Sequence, residues 1–130
     1  MNEKIKRKAH VKQSFSLDFL ERGTFTEYPY LFVYTSPLNC VYIFVELKGT
    51  DIAHAITQIG NTVNLFYNQG YLKDKKVIGA IVSSRHPSND GTYRKAKQTL
   101  EKSLSSKIKS FRIEKKNKEM TYDPINDKVI

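Results

Sequence analysis

The spacing of apolar residues in the first half of the chain predicts strands. Period-two alternation over residues 11–19 indicates one strand, and the dense apolar runs 30–34 and 41–47 indicate two more. The segment 36–39 contains a proline and suits a turn between the last two strands. If this turn closes a hairpin, the numbers of paired residues sum to about 75. Residues 20–28 are predicted to form a loop, so the three strands should form an antiparallel meander.

The spacing becomes helical after residue 50. Gly70 should end a helix whose buried face carries apolar residues at intervals of three and four, namely Ile52, Ile56, Ile59, Val63 and Phe66. The near-continuous apolar run 76–84 then predicts a central strand that is covered on both faces.

The last third of the chain returns to shorter elements. A second helix is predicted over 91–106, followed by a strand at 108–114 and a short partner strand at 119–122 across a turn at 116–118. The predicted order is β-β-β-α-β-α-β. A strand–helix–strand unit after a meander implies an α/β fold with a mixed central sheet and flanking helices.

Composition favours one folded domain with a polyanionic partner. The chain has 130 residues, 39% of them hydrophobic, so we expect one domain over 1–130, with a core at about 11–115. Residues 1–10 should form a basic arm, and 115–130 a hairpin and tail. With 22 Lys and Arg against 13 Asp and Glu, the net charge is +9, which favours nucleic acid. The alternative is a lysine-rich surface that only keeps the protein soluble.

Cysteine usage and the N-terminus favour the cytoplasm. Cys40 is the single cysteine, so no internal disulfide and no cysteine-based zinc cluster can form. The basic N-terminal segment has no apolar run behind it and does not resemble a secretory signal, and no apolar run approaches the length of a membrane span. We therefore expect a cytoplasmic protein.

Two opposite charges close the apolar strand 41–47. Glu46 and Lys48 are two residues apart, so they project from the same face, the one that also carries Tyr42 and Phe44. Partly desolvated charges are costly unless they pair or bind a ligand. A simple Glu–Lys ion pair at the rim of the sheet explains the spacing as well as a ligand site does.

The segment around this pair adds a more specific signal. The run FVELKG is followed by a predicted helix with the run AITQI, in which Gln58 follows His54 by one turn. This combination resembles the PD-(D/E)XK nuclease superfamily, and in particular its small bacterial members with an ELKG strand and a glutamine-bearing helix. The resemblance implies a restriction-endonuclease-like fold that hydrolyses phosphodiester bonds in DNA. It also implies that Glu46 binds Mg²⁺ or Mn²⁺, that Lys48 acts on the attacking water or the phosphate, and that Gln58 assists.

The chain departs from the family pattern at the second metal ligand. The family carries an aspartate on the preceding strand, opposite the glutamate, and the expected pairing places Pro29 or Tyr30 there. The resemblance of the run YPYLF to the family pattern implies that Pro29 is the corresponding residue. A lone carboxylate binds Mg²⁺ weakly. Glu27 would share the face of Pro29 if the strand extends that far, and Asp18 or Glu21 are alternatives. The competing hypothesis is a degenerate member that still binds nucleic acid or a protein partner but has lost catalysis.

Further basic residues are candidates for DNA binding. Arg85 follows the apolar strand 76–84, Lys73 and Lys75 precede it, and Lys76 is its first residue. Lysines of the 115–118 segment are expected on a solvated hairpin, where they add to the positive surface. The expected partner is DNA, whether duplex, branched or single-stranded, and cleavage of two strands would call for a homodimer.

Overall fold

The computed structural model describes residues 5–8, 14–19, 24–28, 31–37, 40–48, 52–83, 91–117, 119–123 and 126–130, with side chains described from residue 31 onward except at 47 and 48. The elements of these residues, in chain order, are β1 (Ile5–Lys8), β2 (Ser14–Phe19), β3 (Thr24–Tyr28), β4 (Leu31–Thr35), β5 (Cys40–Lys48), α1 (Ile52–Asn68), β6 (Lys76–Ser83), α2 (Gly91–Ser105), β7 (Ser110–Asn117), β8 (Glu119–Asp123) and β9 (Lys128–Val129).

The larger sheet is mixed and has the strand order β3-β4-β5-β6-β7. The strands β3, β4 and β5 are antiparallel neighbours, whereas β5, β6 and β7 run parallel to one another. Leu31 lies opposite Phe44, so paired numbers of β4 and β5 sum to 75 as the turn position predicted. The coarse prediction of an α/β protein with a mixed sheet is therefore confirmed.

Both helices pack on one face of this sheet. Helix α1 connects β5 to β6 and contacts both strands, while α2 connects β6 to β7 and contacts β7 and α1. Gly79 of β6 lets α1 approach closely, because a Cβ atom at this position would lie 2.8 Å from Cγ2 of Ile59. The apolar face predicted for α1 is buried here, together with Leu104 of α2.

The other face of the larger sheet is covered by a second sheet. Its order is β1-β2-β8-β9, with β2 and β8 parallel. Met120 and Tyr122 of β8 are buried against alternate residues of β4, β5 and β6, among them Ile43 and Ile78. The near-continuous apolar run of β6 is thus buried on both faces, as predicted. The helices cover one face and the second sheet covers the other.

The end of α1 follows from its sequence. Gly70 has φ 84°, a conformation that glycine adopts readily. The Tyr71 amide donates to the carbonyl of Phe66 at 3.1 Å, and the Gly70 amide donates to that of Tyr67 at 3.0 Å. The rings of Phe66 and Tyr71 pack with centroids 5.7 Å apart. These contacts define a Schellman motif, so the predicted helix end is confirmed.

Two predictions about the first strands are wrong. Strand β2, predicted as the first strand of the meander, pairs with β1 and β8 in the second sheet. Its place beside β4 is taken by β3, which lies in the predicted loop 20–28. Alternation of apolar and polar residues predicts a strand but not the strand that pairs with it. The β3 sequence Thr-Phe-Thr-Glu-Tyr contains too few apolar residues for this pattern to predict a strand. The predicted N-terminal arm also contains a strand, β1, which pairs along β2.

The predicted hairpin of β7 and β8 is also wrong. Strand β7 extends to Asn117 and β8 begins at Glu119, which leaves less than the two residues of a tight hairpin loop. Strand β8 therefore pairs with β2 and β9 of the second sheet. None of the helices among the described residues is both long and apolar enough to cross a membrane.

A polar network holds the last strands against the larger sheet. Arg112 of β7 donates from Nη1 to Oδ2 of Asp127 at 3.1 Å and from Nε to Oε2 of Glu114 at 3.0 Å. The hydroxyl of Tyr122 donates to Oδ1 of Asp127 at 2.7 Å, and Nζ of Lys76 lies 3.8 Å from Oδ2. Asp127 thus links β6, β7 and β8.

Candidate functional site

Strand β5 places Glu46 on the face that α1 covers. Tyr42 and Phe44 pack in the core beneath the helices, whereas Val41, Ile43 and Val45 pack against the second sheet. Because strand residues alternate, Glu46 follows Tyr42 and Phe44 on the helix side, as the sequence predicted. Its side chain is half-buried, and it follows the buried residues Ile43, Phe44 and Val45.

The end of β5 lies beside the amino end of a helix. Lys48 is the last residue of β5, and α1 begins at Ile52. Since α1 runs back along the sheet to reach the start of β6, its amino end, with the positive pole of its dipole, lies at the carboxyl edge of the parallel strands. The register places Lys48 opposite Ser83, whose side chain is buried. The Lys48 side chain lies outside the described residues.

Gln58 lies on the flank of α1 that faces away from α2. Gly60 approaches Leu100 of α2, with 3.0 Å between a built Cβ and Cδ1. Two residues rotate an α-helix by about 200°, so Gln58 faces the β5 side of α1. It is six positions past Ile52, about 9 Å along the helix, and Glu46 is two positions, about 7 Å, before the end of β5.

The side-chain oxygen of Gln58 is unusual. Its Oε1 is buried and has no hydrogen-bond partner among the described residues. A buried amide oxygen that makes no hydrogen bond costs free energy, about 1–3 kcal/mol, and such groups are rare in folded proteins. This oxygen is suited to accept a hydrogen bond from a water molecule or a ligand that enters the site.

The predicted second metal ligand is not supported by strand continuity. Strand β4 begins at Leu31, which lies opposite Phe44 of β5 and opposite Tyr28 of β3, so the described pairing stops two residues short of a partner for Glu46, and Pro29 lies outside the described residues. Glu27 does not lie on β4. It belongs to β3, where it lies opposite Phe32, a residue of the face that contacts the second sheet. The side chain of Glu27 lies outside the described residues, and its metal-binding role stays a prediction.

Of the alternative ligands, Asp18 lies near the end of β2, the first strand predicted from the sequence, where its backbone pairs with that of Lys6 of β1 in the second sheet. Strand β2 does not neighbour β5 in the larger sheet. Glu21 lies outside the described residues.

The predicted lysine cluster lies at the opposite edge of the sheet. Lys76 is the first residue of β6, and Lys73 and Lys75 precede it. Ile81, the neighbour of Glu46, is five residues further on, about 16 Å along the strand. The structure does not bring these lysines to Glu46. Arg85, predicted at the carboxyl edge, lies outside the described residues.

Sequence analysis missed two polar residues at the carboxyl edge. Lys115 was expected on a solvated hairpin, but it is a half-buried residue of β7, and Asn117 ends the same strand. Phe111 and Ile113, on the same face of β7, belong to the core beneath the helices. Continuing this alternation by two and four residues is the signal that would have placed both side chains on the helix face.

The described residues provide only part of a metal site. A carboxylate such as Glu46 is a suitable ligand for Mg²⁺ or Mn²⁺, but these ions need several converging oxygens. Over the part of the chain with described side chains, no group of three or more His, Cys, Asp and Glu is arranged to hold a metal. Glu46 would therefore need further oxygen ligands from outside the residues with described side chains.

Comparisons with protein-family models, with curated proteins and with solved structures give no match for this chain. The site must therefore be interpreted from its own chemistry.

Proposed function

We propose that this chain is a metal-dependent nuclease with a restriction-endonuclease-like fold that hydrolyses phosphodiester bonds in DNA, either within a strand or from an end. The observation that carries the proposal is the grouping at the end of β5. The β5–α1 unit contains the half-buried carboxylate of Glu46, Lys48 two residues later and the amino end of α1. It also contains the buried side-chain oxygen of Gln58, which has no hydrogen-bond donor among the described residues.

Each residue of this group has a distinct role in the proposed reaction. Glu46 would hold Mg²⁺ or Mn²⁺, and the bound ion would supply positive charge to the scissile phosphate. Lys48 would bind a non-bridging phosphate oxygen, where its charge favours the extra negative charge of the transition state. Gln58 would accept a hydrogen bond from the attacking water and orient it. Water would add to the phosphorus while the P–O bond to the leaving sugar oxygen breaks, and the proton that the water loses would neutralise that leaving oxygen. The reaction thus needs no nucleophilic side chain.

Cleavage assays on plasmid and four-way-junction DNA test this proposal. We expect cleavage with Mn²⁺ and none in excess EDTA. Glu46→Gln should lower the rate at least about 100-fold, on the scale of losing a group that stabilises transition-state charge. Glu119→Gln is the matched control, because Glu119 is an exposed glutamate on β8. Equal rates for the two variants would overturn the assignment of Glu46.

One observation favours a second candidate function. Glu27 lies on β3 opposite Phe32, a residue of the face that contacts the second sheet, whereas Glu46 lies on the helix face. A chain with a single carboxylate at this edge would bind nucleic acid through the net charge of +9 without cleaving it. Salt-sensitive DNA binding with no Mn²⁺-dependent cleavage would identify this degenerate form. A homodimer remains part of the nuclease proposal, since cutting both strands of a duplex calls for two sites.

A further inference from the structure

The register of the parallel strands extends the candidate site to β7. Glu46 lies opposite Ile81, and Ile81 lies opposite Lys115. One step further along the strands, Lys48 lies opposite Ser83, and Ser83 lies opposite Asn117. Glu46, Ile81 and Lys115 therefore form one row of neighbouring residues across the sheet, and Lys48, Ser83 and Asn117 form a second row closer to the carboxyl edge. Lys115 shares the row and the helix-facing side of Glu46 at a distance of two strands, about 10 Å.

Lys115 is held in place by an aromatic ring. Its Nζ lies 4.2 Å from the ring centroid of Tyr93, in the first turn of α2. A cation over a ring is attracted by the negative face of the π system and retains its full charge. The side chain is half-buried, so this contact gives the ammonium group a fixed position at the edge.

The nearby carboxylates do not neutralise Lys115. The pKa of Tyr93 is raised to about 12 by burial and, to a smaller extent, by the charges of Glu101 and Glu114, so both acids lie near the ring. However, Glu114 accepts a hydrogen bond from Arg112 at 3.0 Å, and Glu101 accepts one from the Ile113 amide at 2.9 Å. No ion pair joins Lys115 to a carboxylate within the described part of the chain. Its charge is therefore available to an anion from outside.

We propose that Lys115 is a further DNA-binding residue that contacts a backbone phosphate other than the one attacked near Glu46. This inference rests on the proposed function. It adds a path for the substrate, with the DNA backbone crossing the carboxyl edge from β5 towards β7.

Strand β7 offers a matched control. Lys116 is the next residue, is also half-buried, and lies opposite Val82, a residue of the face that contacts the second sheet. Lys115→Gln and Lys116→Gln remove the same charge from adjacent positions on opposite faces. Lys115→Arg keeps the charge at the first position. Thermal unfolding of each variant verifies that it is folded before binding is measured.

Binding to a short fluorescein-labelled DNA duplex, and to one of its single strands, is measured by fluorescence anisotropy in EDTA over a range of salt concentrations. We expect Lys115→Gln to weaken binding about threefold to tenfold and to lower the slope of log affinity against log salt by about one. Lys116→Gln should change the affinity less than twofold, and Lys115→Arg should retain most of the binding. A preference between duplex and single strand identifies the form that crosses this edge.

The outcomes separate this inference from the proposed function. If the wild-type chain binds DNA and the two glutamine variants weaken binding equally, the role of Lys115 is wrong while the nuclease proposal stands. If the wild-type chain cleaves DNA but Lys115→Gln leaves the salt slope unchanged, the same conclusion follows. If the wild-type chain neither binds nor cleaves DNA, both proposals are wrong.

Discussion

At the scale of single residues, Gln58 provides the sharpest test of whether the site is built for a ligand. Its Oε1 is buried without a hydrogen-bond partner in the described structure. We expect Gln58→Leu to raise the free energy of unfolding by about 1 kcal/mol, because it removes an unsatisfied polar atom and fills a similar volume. If Gln58 orients water, the same substitution should lower the cleavage rate at least about tenfold.

The combination of higher stability and lower activity is characteristic of a functional residue. Urea unfolding and single-turnover cleavage measure the two effects on the same preparation. Gln98→Leu is the control, because Gln98 is an exposed glutamine of α2 and its replacement should leave both quantities nearly unchanged. A Gln58→Leu protein that is less stable and equally active would assign Gln58 a structural role.

At the scale of elements, Asp127 is expected to stabilise the packing of the C-terminal strands against the larger sheet. Burial alone would raise the pKa of its carboxyl group, but hydrogen bonds from Arg112 and Tyr122, with the charges of Arg112 and Lys76, outweigh burial and lower the pKa. A depressed pKa in the folded state stabilises the fold at pH values above the unfolded pKa, about 3.9. This contribution is lost as the pH falls through the lower, folded value.

We therefore expect Asp127→Asn to lower the free energy of unfolding by about 1–2 kcal/mol near neutral pH, since the carboxylate is about a third exposed and its ion pairs are partly screened. The difference from the wild-type chain should shrink when urea unfolding is measured at about pH 3. Glu119→Gln, an exposed substitution on β8, should have little effect at either pH. A constant difference between the Asp127→Asn and wild-type proteins would contradict the carboxylate mechanism.

The elements that sequence analysis located correctly have strong local patterns. Strands β5 and β6 are apolar on both faces, and α1 has a single apolar face with Gly70 at its end. Strand neighbours were harder to predict, because the choice of partner for β2 depends on contacts with β8, about 100 residues further along the chain. The face of Glu46 could be predicted from alternation alone, whereas the place of Lys115 in the same row depends on the register of β5, β6 and β7.

At the scale of the whole molecule, five lysines discussed above are divided between the two edges of the larger sheet. Lys73, Lys75 and Lys76 lie at the amino edge of β6, with Lys76 near Asp127. Lys48 and Lys115 belong to the carboxyl ends of β5 and β7. Along β6, the position of Lys76 is about 16 Å from the residue opposite Lys115 and about 23 Å from the residue opposite Lys48, at least twice the Debye length of about 8 Å at physiological salt. These lysines cannot be distinguished by their positions in the sequence, but the fold places them at opposite edges of the larger sheet.

Two double variants with the same change in net charge test this division. Lys48→Gln/Lys115→Gln should weaken DNA binding more than about tenfold at physiological salt, because both lysines belong to the proposed phosphate path. Lys73→Gln/Lys75→Gln should weaken it less than about twofold, since charges two Debye lengths away are largely screened. At low salt the second pair should matter more, because screening weakens. Anisotropy titrations at both salt concentrations measure this difference. Equal losses at physiological salt would mean that DNA also contacts the amino edge, and that the basic segment before β6 is a binding surface in its own right.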